Sequence, residues 1–184
     1  MRARRSRFFA RQGPQRLTPQ LFSALPGMRK DEATDPDRMK SAQIPYRVVL
    51  KVSPIHGKGC YAGEPIPGGA FIIEYSGELI EAEEAYRREA DPGRTGIYTF
   101  WAGDDWAIDG YREGNDARFI NHCCTPNCDY RIADRRVLIH AAHDIAEGEE
   151  LTIDYSFSPE GERISCCCGS PGCRGQINSA GDGD

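Results

Sequence analysis

Residues Arg118 to Cys128 read RFINHCCTPNC, and Cys166 to Cys173 read CCCGSPGC. The first segment crowds polar, aromatic and thiol groups into one tight stretch. The second spaces three thiols, Cys166, Cys168 and Cys173, as C-x-C-x4-C, with Gly169, Pro171 and Gly172 bending the chain between them. That spacing folds three thiolates around one point. Zinc takes four ligands in a tetrahedron, with sulfur about 2.3 Å away. One more thiolate must therefore come from elsewhere, and Cys123, Cys124 and Cys128 form the only rich source. A short tail buries too little apolar surface to fold alone, so a structural zinc would supply its folding free energy. Unligated thiols, an oxidised pair or an iron–sulfur cluster are the competing readings.

Working outward, the chain has 184 residues, of which 39% are hydrophobic and 28% charged. This is globular composition, enough for one domain with its own core. No run approaches the roughly 18 apolar residues of a membrane span. Phe8-Phe9-Ala10 is too short for a secretory segment, so the expected setting is cytosolic and thiol-reducing, where eight Cys do not imply disulfides.

The net charge of −5 hides an asymmetry: residues 1–30 carry seven Arg and one Lys with no acid. Residues 1–44 read as a basic, disordered extension. A targeting peptide, or translation starting at Met39, would also account for them. The acidic remainder argues against direct binding of nucleic acid and suits a basic partner such as a Lys-rich tail. Nothing in the sequence specifies an oligomeric state.

Short β-type runs dominate: Arg47–Val52, Ala70–Tyr75, Val137–Ala141 and Leu151–Tyr155. Ile97–Trp101 and Trp106–Ile108 flank a Gly-Asp-Asp turn and read as a hairpin. The one clear helix is Glu81–Asp91, acidic at its start and stopped by Pro92-Gly93. A mostly β (α+β) fold with long connecting loops follows.

These blocks, taken in order, resemble the SET-domain protein lysine methyltransferases with a post-SET zinc tail. Gly57-Lys58-Gly59 resembles their first cofactor turn, and Glu74-Tyr75-Ser76-Gly77-Glu78 their EYxGE block. Asn115 to Asn127 (NDARFINHCCTPN) and Gly148 to Phe157 (GEELTIDYSF) resemble the central and last blocks, and C-x-C-x4-C-R-G at Cys166–Gly175 the post-SET module. The resemblance covers residues 46–177. It implies a β-clip or knot-like arrangement of short sheets, with residues 45–157 as the SET domain, 158–178 as the zinc tail and 179–184 as a flexible end.

The resemblance also implies a reaction. S-adenosylmethionine would donate a methyl group to the ε-amine of a lysine in a histone tail or another basic protein. Tyr155 and Tyr98 would be the catalytic phenols lining the lysine channel. Gly57, Lys58, Gly59, Asn121, His122 and Tyr155 would hold the cofactor, Asn121 through its side chain at the methionine end and His122 through its backbone at the adenine. Glycines at 57 and 59 would let backbone amides approach without a Cβ clash. Cys124 would be the fourth zinc ligand beside Cys166, Cys168 and Cys173, with Cys128 the runner-up. Cys60, Cys123 and Cys167 would be spare thiols.

Three departures stand out. Cys123 replaces the usual Ser of NHSC, Lys58 and Tyr61 vary the first turn, and Ile153 stands where the family often has Phe or Tyr. In a strand, residues 151, 153 and 155 share a face, which sets Ile153 beside Tyr155. Ile donates no hydrogen bond, so repeated methylation is expected. The compact, Arg/Ala/Gly-rich chain suits a stand-alone enzyme, cytoplasmic in a bacterium or nuclear in a eukaryote or as a secreted effector. A catalytically silent SET-like binding module is the alternative.

Overall fold

The computed structural model describes residues 45–159 and 161–179. The expected basic extension, 1–44, and the end of the expected flexible terminus, 180–184, lie outside the described residues. Within them the chain forms ten short strands in four small sheets, one α-helix and a short 3-10 turn at Asp116–Phe119.

Strands β1 (Val48–Val52) and β2 (Lys58–Ala62) make an antiparallel hairpin with Leu50 opposite Cys60. The second sheet has the order β3-β9-β8, from β3 (Phe71–Tyr75), β8 (Cys128–Ala133) and β9 (Arg136–Ala141). Its central strand β9 buries Val137, Leu138 and Ile139 in a row, as expected for a strand covered on both faces. Asp134 (φ 50°) and Arg135 (φ 62°) close the β8–β9 hairpin with two successive left-handed residues, the geometry of a tight type I′ turn. Ile66, Ile72, Ile73, Ile145 and Leu151 complete a core packed against this sheet.

The third sheet has the order β4-β6-β5, from β4 (Glu78–Glu81), β5 (Thr99–Trp101) and β6 (Trp106–Asp109). Strand β5 is therefore an edge. The helix α1 runs Ala82–Glu89, shorter at both ends than the expected Glu81–Asp91; at its start Glu81 pairs with Trp106 of β6 instead. Only Ala85 of α1 is buried, against Ile80 and Ala107, with Tyr86 packed on Trp101; ion pairs add to this limited packing. Arg88 reaches Glu84 at 2.7 Å, Glu78 at 2.6 Å and Asp109 at 2.9 Å. Asp109 also binds Arg94, and both side chains are nearly fully enclosed. Burial alone would raise the Asp109 pKa, but the two guanidiniums and the Tyr111 N–H outweigh it and hold the carboxyl below its ordinary value.

The fourth sheet pairs β7 (Asn121–His122) in parallel with β10 (Thr152–Ile153). The expected strand Leu151–Tyr155 is thus only two residues long. Leu151 donates its N–H to Cys60 O at 2.7 Å, and the Tyr155 N–H goes to a side chain instead of a ladder. Asn127 joins the two segments: its Nδ2 donates to Glu150 O at 2.9 Å and its Oδ1 accepts from Thr152 N at 2.9 Å. Residues thirty positions apart are thereby fixed side by side.

Candidate active site and metal centre

The sulfurs of Cys124, Cys166, Cys168 and Cys173 lie within 4.8 Å of one another. Those of Cys124 and Cys166 are 3.7 Å apart. Four sulfurs at 2.3 Å from a tetrahedral zinc would stand about 3.8 Å apart, so the cluster fits that ion. Backbone N–H groups of Cys168, Arg174 and Gly175 point at Cys166, Cys124 and Cys173 sulfurs, each at 3.4 Å. Such donors favour thiolates, the form that binds metal. Burial works against ionisation of Cys168, yet hydrogen bonds from the backbone and Ser170 bring it down to about 5. Cys128 is not part of this group: it is buried in the core, with its thiol on Asn127 Oδ1 at 3.4 Å.

The tail carrying these thiols is tied to the sheet by more than sulfur. Arg174 grips Asp154 with both ends of its guanidinium, at 2.6 and 2.9 Å. Asn178, 2% exposed, donates to Ser158 O at 2.6 Å and accepts from Ile164 N at 3.0 Å. His122 links the thiol cluster to Tyr155: its Nδ1 accepts from Tyr155 N at 3.1 Å, and its Nε2 faces Cys124 Sγ at 3.3 Å. An accepting Nδ1 leaves the ring proton on Nε2, aimed at sulfur. Burial, with the Arg174 charge, lowers the His122 pKa against the pull of Asp154, so the ring stays neutral.

Beside this junction lies a cleft that is partly open to solvent. Its walls include Ile97, Thr99, Phe100 and Trp101 from β5 and its approach, and Ile120, Ile153, Tyr155 and Phe157 opposite. Tyr155 lies just past the end of β10. The following Ser156 has φ 47°, a strained left-handed turn held by its N–H on Asp154 Oδ1 at 2.9 Å. The Tyr155 hydroxyl donates to Ile120 O at 2.9 Å. Burial, reinforced by the nearby Tyr98, Cys60 and Glu150 groups, pushes its pKa well above the ordinary phenol value, so it stays protonated.

Tyr98 sits between the wall residues Ile97 and Thr99 without being a wall residue of the cleft itself. Its ring packs on Tyr111 and Phe119, at 5.8 and 6.3 Å between centroids. Tyr75, a cleft residue to which the sequence reading assigned no role, donates its hydroxyl to Tyr98 O at 2.6 Å and so fixes where that residue stands. The signal was present in the EYxGE block, whose Tyr is this residue. Arg118 spends one guanidinium nitrogen on Gly110 O and Tyr111 O, at 3.1 and 3.2 Å, and its charge stacks over Phe119.

On another side of β7 lies the Gly57–Gly59 segment. It opens β2 rather than forming a free turn. Gly57 has φ +51°, with open space where a Cβ would stand. Asn121 is buried, and its Nδ2 donates to Lys58 O at 3.0 Å, His56 O at 3.2 Å and Glu150 Oε1 at 2.8 Å. Its Oδ1 has no partner among the described residues. An acceptor left without a partner on a side chain that is otherwise buried suits a ligand that carries a donor.

The SET domain family model matches residues 57–156, a span that contains β7, β10 and every residue lining the cleft except Phe157. The chain belongs to the SET-domain family. Several curated SET relatives are similar to it. A "Histone-lysine N-methyltransferase, H3 lysine-4 specific" of Yarrowia lipolytica is 47% identical over 158 residues, 79% of this chain and 14% of that protein. "Histone-lysine N-methyltransferase trithorax" of Drosophila melanogaster is 44% identical over 132 residues, 68% of this chain and 4% of its own length. "Histone H3-lysine(4) N-trimethyltransferase ATX1" of Arabidopsis thaliana is 36% identical over 183 residues, 90% of this chain and 17% of its own. The chain thus spans a small fraction of the length of these relatives.

Proposed function

We propose that this SET domain transfers a methyl group from S-adenosylmethionine to the ε-amine of a lysine in a histone tail, with histone H3 the favoured substrate. The observation that carries this reading is the apolar cleft, closed at Ile153 and Ile120 by a phenol that stays protonated. The activities for which the relatives are named support the same reaction, and two of those names specify histone H3 lysine 4. A nuclear setting is the one consistent with a histone.

When bound, S-adenosylmethionine supplies an electrophilic methyl on a sulfonium and leaves as the neutral thioether. Asn121, through its free Oδ1, and the Gly57–Gly59 segment would hold it. The lysine must arrive neutral, because only a free lone pair can form the new N–C bond. Neutralising an unperturbed lysine at pH 7 costs about 4.6 kcal/mol, and an apolar cleft lowers that cost by disfavouring the ammonium. The displaced proton passes to water at the open side. Tyr155 keeps its hydrogen on Ile120 O, which turns its oxygen lone pairs toward the cleft, where they orient the amine and stabilise developing charge. Alignment of the two reactants supplies several kcal/mol more.

The edge strand β5 gives the substrate main chain a place to pair, since its residues form one cleft wall. Ile153, in the cleft near Tyr155, offers no hydrogen bond to hold a methylated amine in a single orientation. We therefore assign a product beyond monomethyl-lysine. Zinc held by Cys124, Cys166, Cys168 and Cys173 would be structural and fix the tail against Phe157 and Asp154. A silent binding module would not need the enclosed Tyr155 phenol or the unpartnered Asn121 oxygen. Transfer of tritium-labelled methyl to recombinant histone H3, with Tyr155→Phe as control, tests the proposal; no transfer by the unaltered chain would refute it.

A further inference from the structure

We infer that Glu150 is a positioning residue for the methyl donor: its carboxylate fixes the Asn121 amide with the carbonyl oxygen free for the donor's ammonium. Glu150 belongs to the loop entering β10 and reaches across β2. One carboxylate oxygen accepts from Asn121 Nδ2 at 2.8 Å, and the other accepts from the Tyr61 hydroxyl at 3.0 Å. Tyr61 is itself held, with its ring under the Lys51 ammonium at 5.0 Å.

The Asn121 amide thus meets three acceptors on one side: two backbone carbonyls and a carboxylate. Its NH2 group offers two protons to these three acceptors, one of them shared, with the shortest bond to the carboxylate. Rotated by half a turn, its carbonyl oxygen would face all three, and the carboxylate would repel it most strongly. Glu150 therefore decides which end of the amide faces the donor. Without it, two neutral carbonyls remain, and the preference weakens.

The same geometry gives Gly59 a reason beyond room for a ligand. A Cβ at 59 would collide with Glu150 Oε1 and would stand 3.0 Å from Ser53 Cβ. The glycine makes space for the carboxylate, so Gly59→Ala would push Glu150 off Asn121.

The inference rests on the proposed function, because it needs S-adenosylmethionine as the ligand. The test is isothermal titration of the full chain with S-adenosylmethionine and with an analogue lacking the α-amino group. The unaltered chain is expected to favour the amine-bearing ligand roughly tenfold or more, the weight of one hydrogen bond to a charged group. Glu150→Ala and Gly59→Ala should each bring that preference close to one, while Glu150→Gln, whose carbonyl still accepts from Asn121, should keep most of it. If Glu150→Ala does not fold, Gly59→Ala and Glu150→Gln carry the comparison. Donor binding by the unaltered chain together with an undiminished preference in Glu150→Ala or Gly59→Ala would overturn this inference alone. Failure of the unaltered chain to bind the donor would overturn the proposed function as well.

Discussion

Tyr155 donates its backbone N–H to the His122 ring at 3.1 Å, and the far nitrogen of that ring faces the Cys124 sulfur at 3.3 Å. One imidazole therefore spans the distance between the backbone of a cleft residue and a thiol of the candidate metal centre. Replacing it with His122→Ala should weaken zinc binding and methyl transfer together, by about 10–100-fold each, the usual effect of losing a ligand's supporting partner. Chelator competition and turnover, measured on the same preparation, should fall in parallel. Loss of transfer with unchanged zinc affinity would break the link.

Tyr155→Phe removes one oxygen and leaves the ring, which packs on His122 and Phe157 at 5.5 and 5.6 Å. Turnover should drop about 10²–10³-fold, the magnitude of a lost preorganised donor or dipole, while donor affinity by titration stays close to the unaltered value.

Much of this site was legible in the sequence, and the reasons are local. The thiol spacing at Cys166–Cys173 and the crowded segment before Cys128 fix chemistry through residue type, which needs no knowledge of distant contacts. The strands that were missed are those whose pairing decides them. Strand β8 reads CDYRIA, exposed at every position but Cys128 and half-exposed Tyr130, so only β9 beside it reveals it. Strand β4 carries no β signal of its own in the sequence, and its last residue, Glu81, reads as the acidic start of α1 until its pairing with Trp106 of β6 claims it. Alternation in Leu151–Tyr155 assumed a full strand. Residues 151, 152 and 153 are all buried, and Tyr155 is placed by His122 and the Ser156 turn, not by a pleat. Glu150 was unreadable, since its partners lie 29 and 89 positions away.

The metal should stabilise the tail more than the sheets. Chelation, or Cys173→Ser, is expected to open residues 158–178 to limited proteolysis and abolish transfer, while the β3-β9-β8 core keeps a cooperative thermal transition. Simultaneous loss of both would mean that the core also depends on the ion.

Ile153→Tyr would place a hydroxyl in the cleft near Tyr155. The variant should stop at monomethyl-lysine on a peptide that the unaltered chain carries further, as read by intact mass over a time course. Identical product distributions would remove Ile153 as the determinant.

Glu89 gives the fold a pH signature. Burial, partly offset by Thr99 and Arg94 and increased by Asp109, raises its carboxyl from 4.5 to about 7. Its Oε1 is buried without a hydrogen-bond partner. A folded-state pKa above the unfolded one favours folding fully below about pH 4.5, and this contribution is lost as pH rises through about 7. Glu89→Gln should therefore flatten the stability profile between pH 5 and 8, with a gain of up to about 3 kcal/mol at the alkaline end. Denaturant titrations at both pH values check it; parallel profiles for the two proteins would refute it.

The most direct measurement of the central claim is tandem mass spectrometry of a histone H3 tail peptide after incubation with the unaltered chain and S-adenosylmethionine. Added methyl groups are expected on a lysine nitrogen, reaching at least the dimethyl state, and they should disappear with Tyr155→Phe. A peptide of unchanged mass, under conditions where the chain binds the methyl donor, would contradict it.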